Sequence, residues 1–146
     1  MKALIQVVEE ANVAVESEIV GSIGSGLLIF LGVKEVDQRA QAKKLVEEVL
    51  NLRILPDDQG KMNLSVKDLQ GEILVISQFT LYGKVDSGRR PSFSQAAEYE
   101  EARRLYREFI KLLDEGIESD VESGDFGSYM KVSLVNDGPI TFTLES

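Results

Sequence analysis

The chain has 146 residues, with 25 acidic against 16 basic side chains and a net charge of −9. It contains no cysteine and no histidine, which excludes Ser-His-Asp and Cys-His nucleophilic sites, thiol redox chemistry and zinc held by His or Cys. Any proton transfer falls to carboxylate, lysine, tyrosine, backbone, water or substrate. The length fits one domain over 1–146, and such a domain buries roughly two-thirds of its unfolded surface without a staple. The acidic balance argues against broad electrostatic binding of a long nucleic acid, but not against a small pocket for its end. No cofactor and no metal are expected. The N-terminal MKALIQVVEE has no signal-peptide core, and no segment approaches about 18 apolar residues, so a cytoplasmic protein is expected.

Residues 2–8 and 11–15 are rich in Val, Ile and Ala and predict one long or bent strand. Residues 18–23 predict a second strand, and Gly26 to Val33 a third, buried on both faces. Gly21, Gly24 and Gly26 resemble a phosphate-binding glycine loop, but an apolar strand follows where a helix would be required. They are read as a tight strand-to-strand turn. Ala42, Leu45, Val46, Val49 and Leu50 fall at helical spacing, with Asp37 as N-cap. Leu52 to Leu55 predicts a short strand. The segment 57–61 lacks the alternating oxygens of a calcium loop and is read as a surface turn.

Glu72 to Gln78 predicts another buried strand, and about 98–115 a second helix with Ala102, Leu105, Tyr106, Phe109, Ile110 and Leu113 on its apolar face. Gly116 suits that helix's C′ position. Met130 to Val135 and Ile140 to Leu144 predict two strands. From local sequence, Asn136-Asp137-Gly138-Pro139 between them reads as a hairpin turn. Strands outnumber helices and much antiparallel pairing is expected, so the class is α+β.

Two segments invite a functional reading. In Ser77-Gln78-Phe79-Thr80-Leu81-Tyr82-Gly83, an apolar strand runs straight into polar and hydroxylated positions. Side chains and freed backbone N–H groups can meet a ligand at such a strand end, although an ordinary polar loop has the same composition. The segment 84–91 carries Lys84, Arg89 and Arg90 against one Asp. Alone it reads as a solvated loop, and it could also receive a phosphate.

Together these segments resemble the D-aminoacyl-tRNA deacylase family, also known as D-tyrosyl-tRNA deacylases. SQFTLYG at 77–83 and MKVSLVNDGP at 130–139 carry the resemblance. ALIQ at 3–6, GLLIFLGV at 26–33, NLRI at 51–54, GKMNLS at 60–65, GRRPSF at 88–93 and FG at 126–127 support it, in the family's order and spacing. The resemblance implies a single α+β domain with a mixed, largely antiparallel, barrel-like sheet and two main helices. It implies a hydrolase that cleaves the ester joining a D-amino acid to the tRNA 3′ end. It further implies a homodimer with active sites at the interface, where a cis Gly138–Pro139 loop reaches into the partner's site. Ser77, Gln78, Phe79 and Thr80 would line the pocket, with Phe126 and Met130 near the adenosine and aminoacyl end. One departure stands out. Family members carry Arg after the Gln of the first strand, where it helps hold the Gly-Pro loop; here Gln6 is followed by Val7.

An aminoacyl ester is already activated, so hydrolysis needs positioning and a stabilised oxyanion. The Phe79 and Thr80 N–H groups are the candidate donors, and the substrate's ribose 2′-OH can orient the attacking water. A covalent Thr80 nucleophile is the rival, but no obvious base lies nearby in sequence. Lys84, Arg89 and Arg90 are candidate tRNA contacts. A backbone wall at Gly138–Pro139 would exclude L side chains and could not reject glycine, so some glycyl-tRNA hydrolysis is expected. Two other classes are a non-catalytic RNA-end binding module and a structural dimer without ligand.

Overall fold

The computed structural model describes residues 1–85 and 88–146. Its elements are β1 (Lys2–Val15), β2 (Glu18–Ile23), β3 (Gly26–Gly32), α1 (Arg39–Asn51), β4 (Leu55–Pro56), β5 (Met62–Leu64), β6 (Glu72–Ser77), a 3-10 turn (Phe79–Tyr82), α2 (Tyr99–Gly116), β7 (Val121–Ser123) and β8 (Lys131–Glu145). The main sheet runs β2-β1-β3-β6-β7, with β8 also paired to β1. Pairings to β1 are antiparallel, whereas β3–β6 and β6–β7 are parallel. Parallel neighbours need long crossovers, and α1 and α2 lie in those two connections.

Both helices pack on one face of the sheet. Ile5, Leu27, Ile29, Ile73 and Val75 meet Leu45, Val49, Leu105 and Phe109 there in one apolar cluster. The other face is also covered: Val8, Ala11, Val13, Ile23, Leu28, Leu74 and Ile76 form a second cluster, closed by Val132 and Leu134. The sheet curls to make this closure. A Cβ on Gly21 of β2 would sit 2.8 Å from the Ser123 carbonyl of β7, so opposite edges nearly touch. Burial on two faces explains why β3 reads as an unbroken apolar run.

The structure corrects five expectations. First, residues 24–26 do not reverse the chain. Ala11 pairs with Ile23 and Val8 with Gly26, so β2 and β3 run in one direction along β1. The real reversal is at Glu16 and Ser17, both at positive φ (48° and 74°), as a two-residue hairpin requires. Second, residues 136–139 are not a hairpin. Both halves of β8 run antiparallel to β1, from Lys2↔Glu145 to Ala14↔Lys131, and the register jumps from Gln6↔Thr141 to Val8↔Asn136. Residues 137–140 are a bulge opposite Val7, with Gly138–Pro139 in cis.

Third, Asp37 is not the N-cap of α1; Gln38 is. Asp37 is buried, where it accepts the Met1 ammonium at 2.7 Å and the Lys34 N–H at 2.6 Å. A carboxylate so placed serves tertiary pairing. Fourth, Gly116 is the last residue of α2 and not its C′. A Cβ there would meet Leu50 Cδ1 at 2.5 Å, so the glycine lets α1 and α2 approach. The strand expected at 52–55 begins only at Leu55.

Candidate active site

β6 delivers Ser77 to the rim of the sheet, and Gln78 extends its ladder by one bond, from its N–H to the Leu31 carbonyl at 2.8 Å. The chain then turns into the 3-10 segment, whose Leu81 N–H returns to Gln78 O at 3.3 Å. The first N–H groups of any such turn have no acceptor behind them. Among the described residues, the Phe79 and Thr80 N–H groups find no backbone or side-chain acceptor. The Gln78 amide donates to Thr80 Oγ1, which occupies a lone pair of that hydroxyl and holds it in place.

Beside this strand end opens a cavity of about 320 Å³, lined by Ser77, Gln78, Phe79, Tyr99, Tyr106 and Phe126, with Leu31, Val33, Ala96, Ala97, Ala102 and Gly127 completing it. Its walls are mostly apolar, with polar groups confined to the strand end, which is the usual make-up of a small-molecule site. Phe126 is fixed by two rings, Tyr99 edge-on at 5.2 Å and Tyr106 tilted at 5.3 Å. Tyr106 comes from the buried face of α2, with its hydroxyl 2.8 Å from the Val75 carbonyl and 3.4 Å from that of Gly124. Burial pushes its phenol well above the ordinary tyrosine range, so it stays a neutral donor. Phe79 packs edge-on against Phe93 at 4.9 Å, which joins the site to the loop after the 3-10 turn.

The structure brings together Ser77, Gln78, Phe79 and Phe126. It does not bring Met130 to the cavity. Met130 packs against the second apolar cluster, next to Gly124 and Ile76. Gly138 and Pro139 do not line the cavity of their own chain either. Their bulge is clamped at its base by Asn136, whose Oδ1 accepts the Ile140 N–H at 2.9 Å and whose Nδ2 donates to the Ile140 carbonyl at 3.3 Å. Gln6 Nε2 adds a bond to Thr141 Oγ1 at 3.2 Å. Val7 is buried in the main core and offers the bulge no polar group, so the side-chain bonds at its base come from Asn136 and Gln6. Lys84, Arg89 and Arg90 are exposed. Lys84 and Ser92 exchange two backbone hydrogen bonds at 2.8 Å, which closes the base of the basic loop near Phe93. Asp86 and Ser87 of that loop lie outside the described residues.

The family model described as D-Tyr-tRNA(Tyr) deacylase matches residues 4–145. The chain belongs to this family. A D-aminoacyl-tRNA deacylase of Thermosipho melanesiensis is 50% identical over 146 residues, covering 100% of this chain and 97% of that protein. One of Aliivibrio salmonicida is 53% identical over 145 residues, covering 99% of each. Among solved structures, a c-Myc DNA unwinding element binding protein superposes with a TM-score of 0.95 at 40% identity, covering 100% of this chain and 99% of that one. A probable eukaryotic D-amino acid tRNA deacylase superposes with a TM-score of 0.85 at 19% identity, covering 99% and 98%, which shows the shared fold. No helix is long and apolar enough to cross a membrane among the described residues.

Three contributors went unread as site residues in the sequence. Tyr106 counts there as part of an apolar stripe, and its hydroxyl acquires meaning only from the carbonyls of Val75 on β6 and Gly124 just past β7. Tyr99 opens α2 with no distinguishing neighbour. Asn136 reads as a turn former, and its side chain proves to be the clamp.

Proposed function

We propose that the protein hydrolyses the ester of D-aminoacyl-tRNA, with the terminal adenosine and aminoacyl group in the cavity at the end of β6. The observation that carries this reading is the apolar cavity lined by Ser77, Gln78 and Phe79, with the unpartnered Phe79 N–H at its edge and that of Thr80, which does not itself line the cavity, one residue on. Such donors can bind the carbonyl oxygen as it becomes an oxyanion, and removing one typically costs about 10²–10³ in rate. The ribose 2′-OH of the substrate orients the water, which suits a chain without histidine. The Gln78 amide directed at Thr80 Oγ1 favours a positioning role for that hydroxyl over nucleophilic attack. Lys84, Arg89 and Arg90 would meet the acceptor end beside Phe79.

The Gly138–Pro139 bulge would complete the site of a second copy in a homodimer. Supporting this, β8 lies at the free side of β1 and exposes Val135 and Phe142 (46% and 40%). A clamped backbone wall next to the substrate Cα rejects an L side chain by overlap and finds nothing on glycine to reject. The protein therefore serves chiral proofreading in the cytoplasm, with glycyl-tRNA as a side substrate.

The test is deacylation of D-tyrosyl-, L-tyrosyl- and glycyl-tRNA in parallel, with the oligomeric state measured by light scattering. Hydrolysis of the D and glycyl substrates by a dimer, with the L substrate spared, is expected. Rapid L hydrolysis, or complete refusal of glycine, removes the steric wall. Full activity in a monomer removes the shared site. RNA binding with no hydrolysis leaves a sequestering module in its place.

A further inference from the structure

Several cations on this acidic chain are tied to carboxylates. Arg39 bonds Glu108 at 2.7 Å, Arg104 bonds Glu101, and Lys2 and Lys44 have acidic partners within 4.0 Å. One stripe differs. Arg103, Arg107 and Lys111 follow each other at i, i+4 and i+8 along α2, so they share one face about 6 Å apart along the axis. Among the described residues, Arg103 and Arg107 have no carboxylate within ion-pair distance, and Lys111 has only the exposed Glu115 at 3.6 Å. These three side chains line a groove of about 560 Å³ between α2 and the β7 segment. Asp114 and Asp125 also border it, so its surplus is one positive charge in a chain of −9.

The groove adjoins the candidate active site. Tyr106 and Phe126 line both spaces and form the wall between them. A base stacked in the cavity against Phe126 leaves its 5′ phosphate free to cross that wall. The row of guanidinium and ammonium groups then lies along the direction the strand must take. Arginine suits this work, because its planar fork matches phosphate oxygens. The paired cations elsewhere would have to break an ion pair first.

We propose that the Arg103–Arg107–Lys111 face of α2 is the track for the phosphodiester backbone of the single-stranded RNA 3′ end, immediately upstream of the nucleotide held in the cavity. The proposal rests on the deacylase reading for the identity of the RNA, not for the track itself. It makes the stripe a positioning surface: it holds the strand and touches no reacting atom.

The test compares Arg103→Gln/Arg107→Gln with Lys43→Gln/Lys44→Gln, which removes the same charge from the exposed side of α1. A fluorescent RNA oligonucleotide ending in CCA is titrated across a salt series, and steady-state kinetics are run on D-tyrosyl-tRNA and on 3′-O-D-tyrosyl-adenosine. The α2 variant should bind the oligonucleotide about tenfold more weakly, and its log–log salt slope should fall by about 1.4, at roughly 0.7 per phosphate contact on a single strand. Its KM for the tRNA should rise similarly with kcat unchanged, and the adenosine ester should be hydrolysed as by wild type. The α1 variant should behave as wild type. Wild-type RNA binding and salt slope in the α2 variant would overturn the proposal, as would an equal loss in the α1 variant. Equal displacement of the RNA by a poly-glutamate peptide at matched charge would also overturn it. If wild type hydrolyses neither ester but the α2 variant alone loses RNA, the track stands and the deacylase reading falls.

Discussion

Residues 24–26 and 136–139 interrupt the strand pattern opposite the same long strand, β1, and both contain glycine amid apolar runs. Each resembles a hairpin turn, and neither reverses the chain. Their environments are otherwise opposite. Gly26 is buried, and an added Cβ would lie 1.9 Å from the Glu72 carbonyl oxygen and 2.7 Å from its nitrogen. It is glycine because β3 and β6 must approach closely there. Gly138 is exposed, sits at φ 137°, and its nearest neighbours are atoms of Ile140, two residues on. It is glycine because the backbone takes a path L residues rarely follow. Alongside the first interruption the apolar parity of β1 shifts between Val8 and Ala11, where its register against β8 slips between Val8 and Glu10, as a bulge produces. The second projects a short piece of backbone outward. A glycine that packs and a glycine that presents look alike in one dimension.

Gly26→Ala should show the largest effect. No rotamer relieves a backbone clash of that size, so β3 and β6 must part. Overpacking normally costs about 1–3 kcal/mol, and this site belongs at or above the top of that range. Urea denaturation reads it, and a loss under about 1 kcal/mol would mean that the strands can separate cheaply. Gly138→Ala should invert the balance. Its stability cost is expected at about 1–3 kcal/mol, the cost of holding an L residue in a sparsely populated backbone region. Its D-tyrosyl-tRNA hydrolysis should fall about a hundredfold, as a misplaced positioning element does. Retained activity would reduce the bulge to a structural irregularity and erase the contrast with Gly26.

Asn136→Ala sharpens the same contrast at smaller amplitude. It removes the side-chain bonds to Ile140 at the base of the bulge, worth about 1 kcal/mol of stability. Discrimination of D- over L-tyrosyl-tRNA should fall about fivefold, in line with that energy. Unchanged discrimination would show that the bulge holds its shape without the clamp.

Much of the fold was legible because periodicity reports burial. β1, β3, β6 and both helices declare themselves by apolar spacing that one or two covered faces demand. What was not legible depends on partners distant in sequence. β7 is three residues with no pattern of its own, and it is a strand because Ile73, Leu74 and Val75 pair with it. Whether residues 136–139 turn or bulge is decided by β1, since both halves of β8 pair with it. At the site, the switch from ILVI to SQFT marked the strand end, whereas Tyr106 was hidden in a helical stripe. Asp37 was misplaced for a similar reason: its position suggests a cap, and its partner is the ammonium at the start of the chain.

The segment 57–60 supplies the reversal that the other two lack, and so sets the baseline for the comparison. Here the chain does turn back, from Pro56 to Met62, and Gly60 has nothing near its Cα that a side chain would strike. What holds this turn is a carboxylate. Asp57 accepts the N–H groups of Lys61 at 3.0 Å and Gln59 at 2.9 Å, and the Asn63 amide at 3.1 Å. The bond from Lys61 leads in holding its pKa below the ordinary aspartate value. A carboxyl depressed in the folded state stabilises wherever the unfolded group is also ionised, and loses that contribution as pH falls through the folded value. The support is therefore complete above about pH 5 and drains away below the usual carboxylate range. Asp57→Asn should lower the melting temperature slightly at neutral pH, less than any change above, because the group is only partly covered and solvent screens it. The gap between variant and wild type should close as the pH is lowered through that window. No gap at neutral pH would mean that the turn is held by its backbone bonds alone, and that its aspartate is as incidental as the hairpin look of residues 136–139.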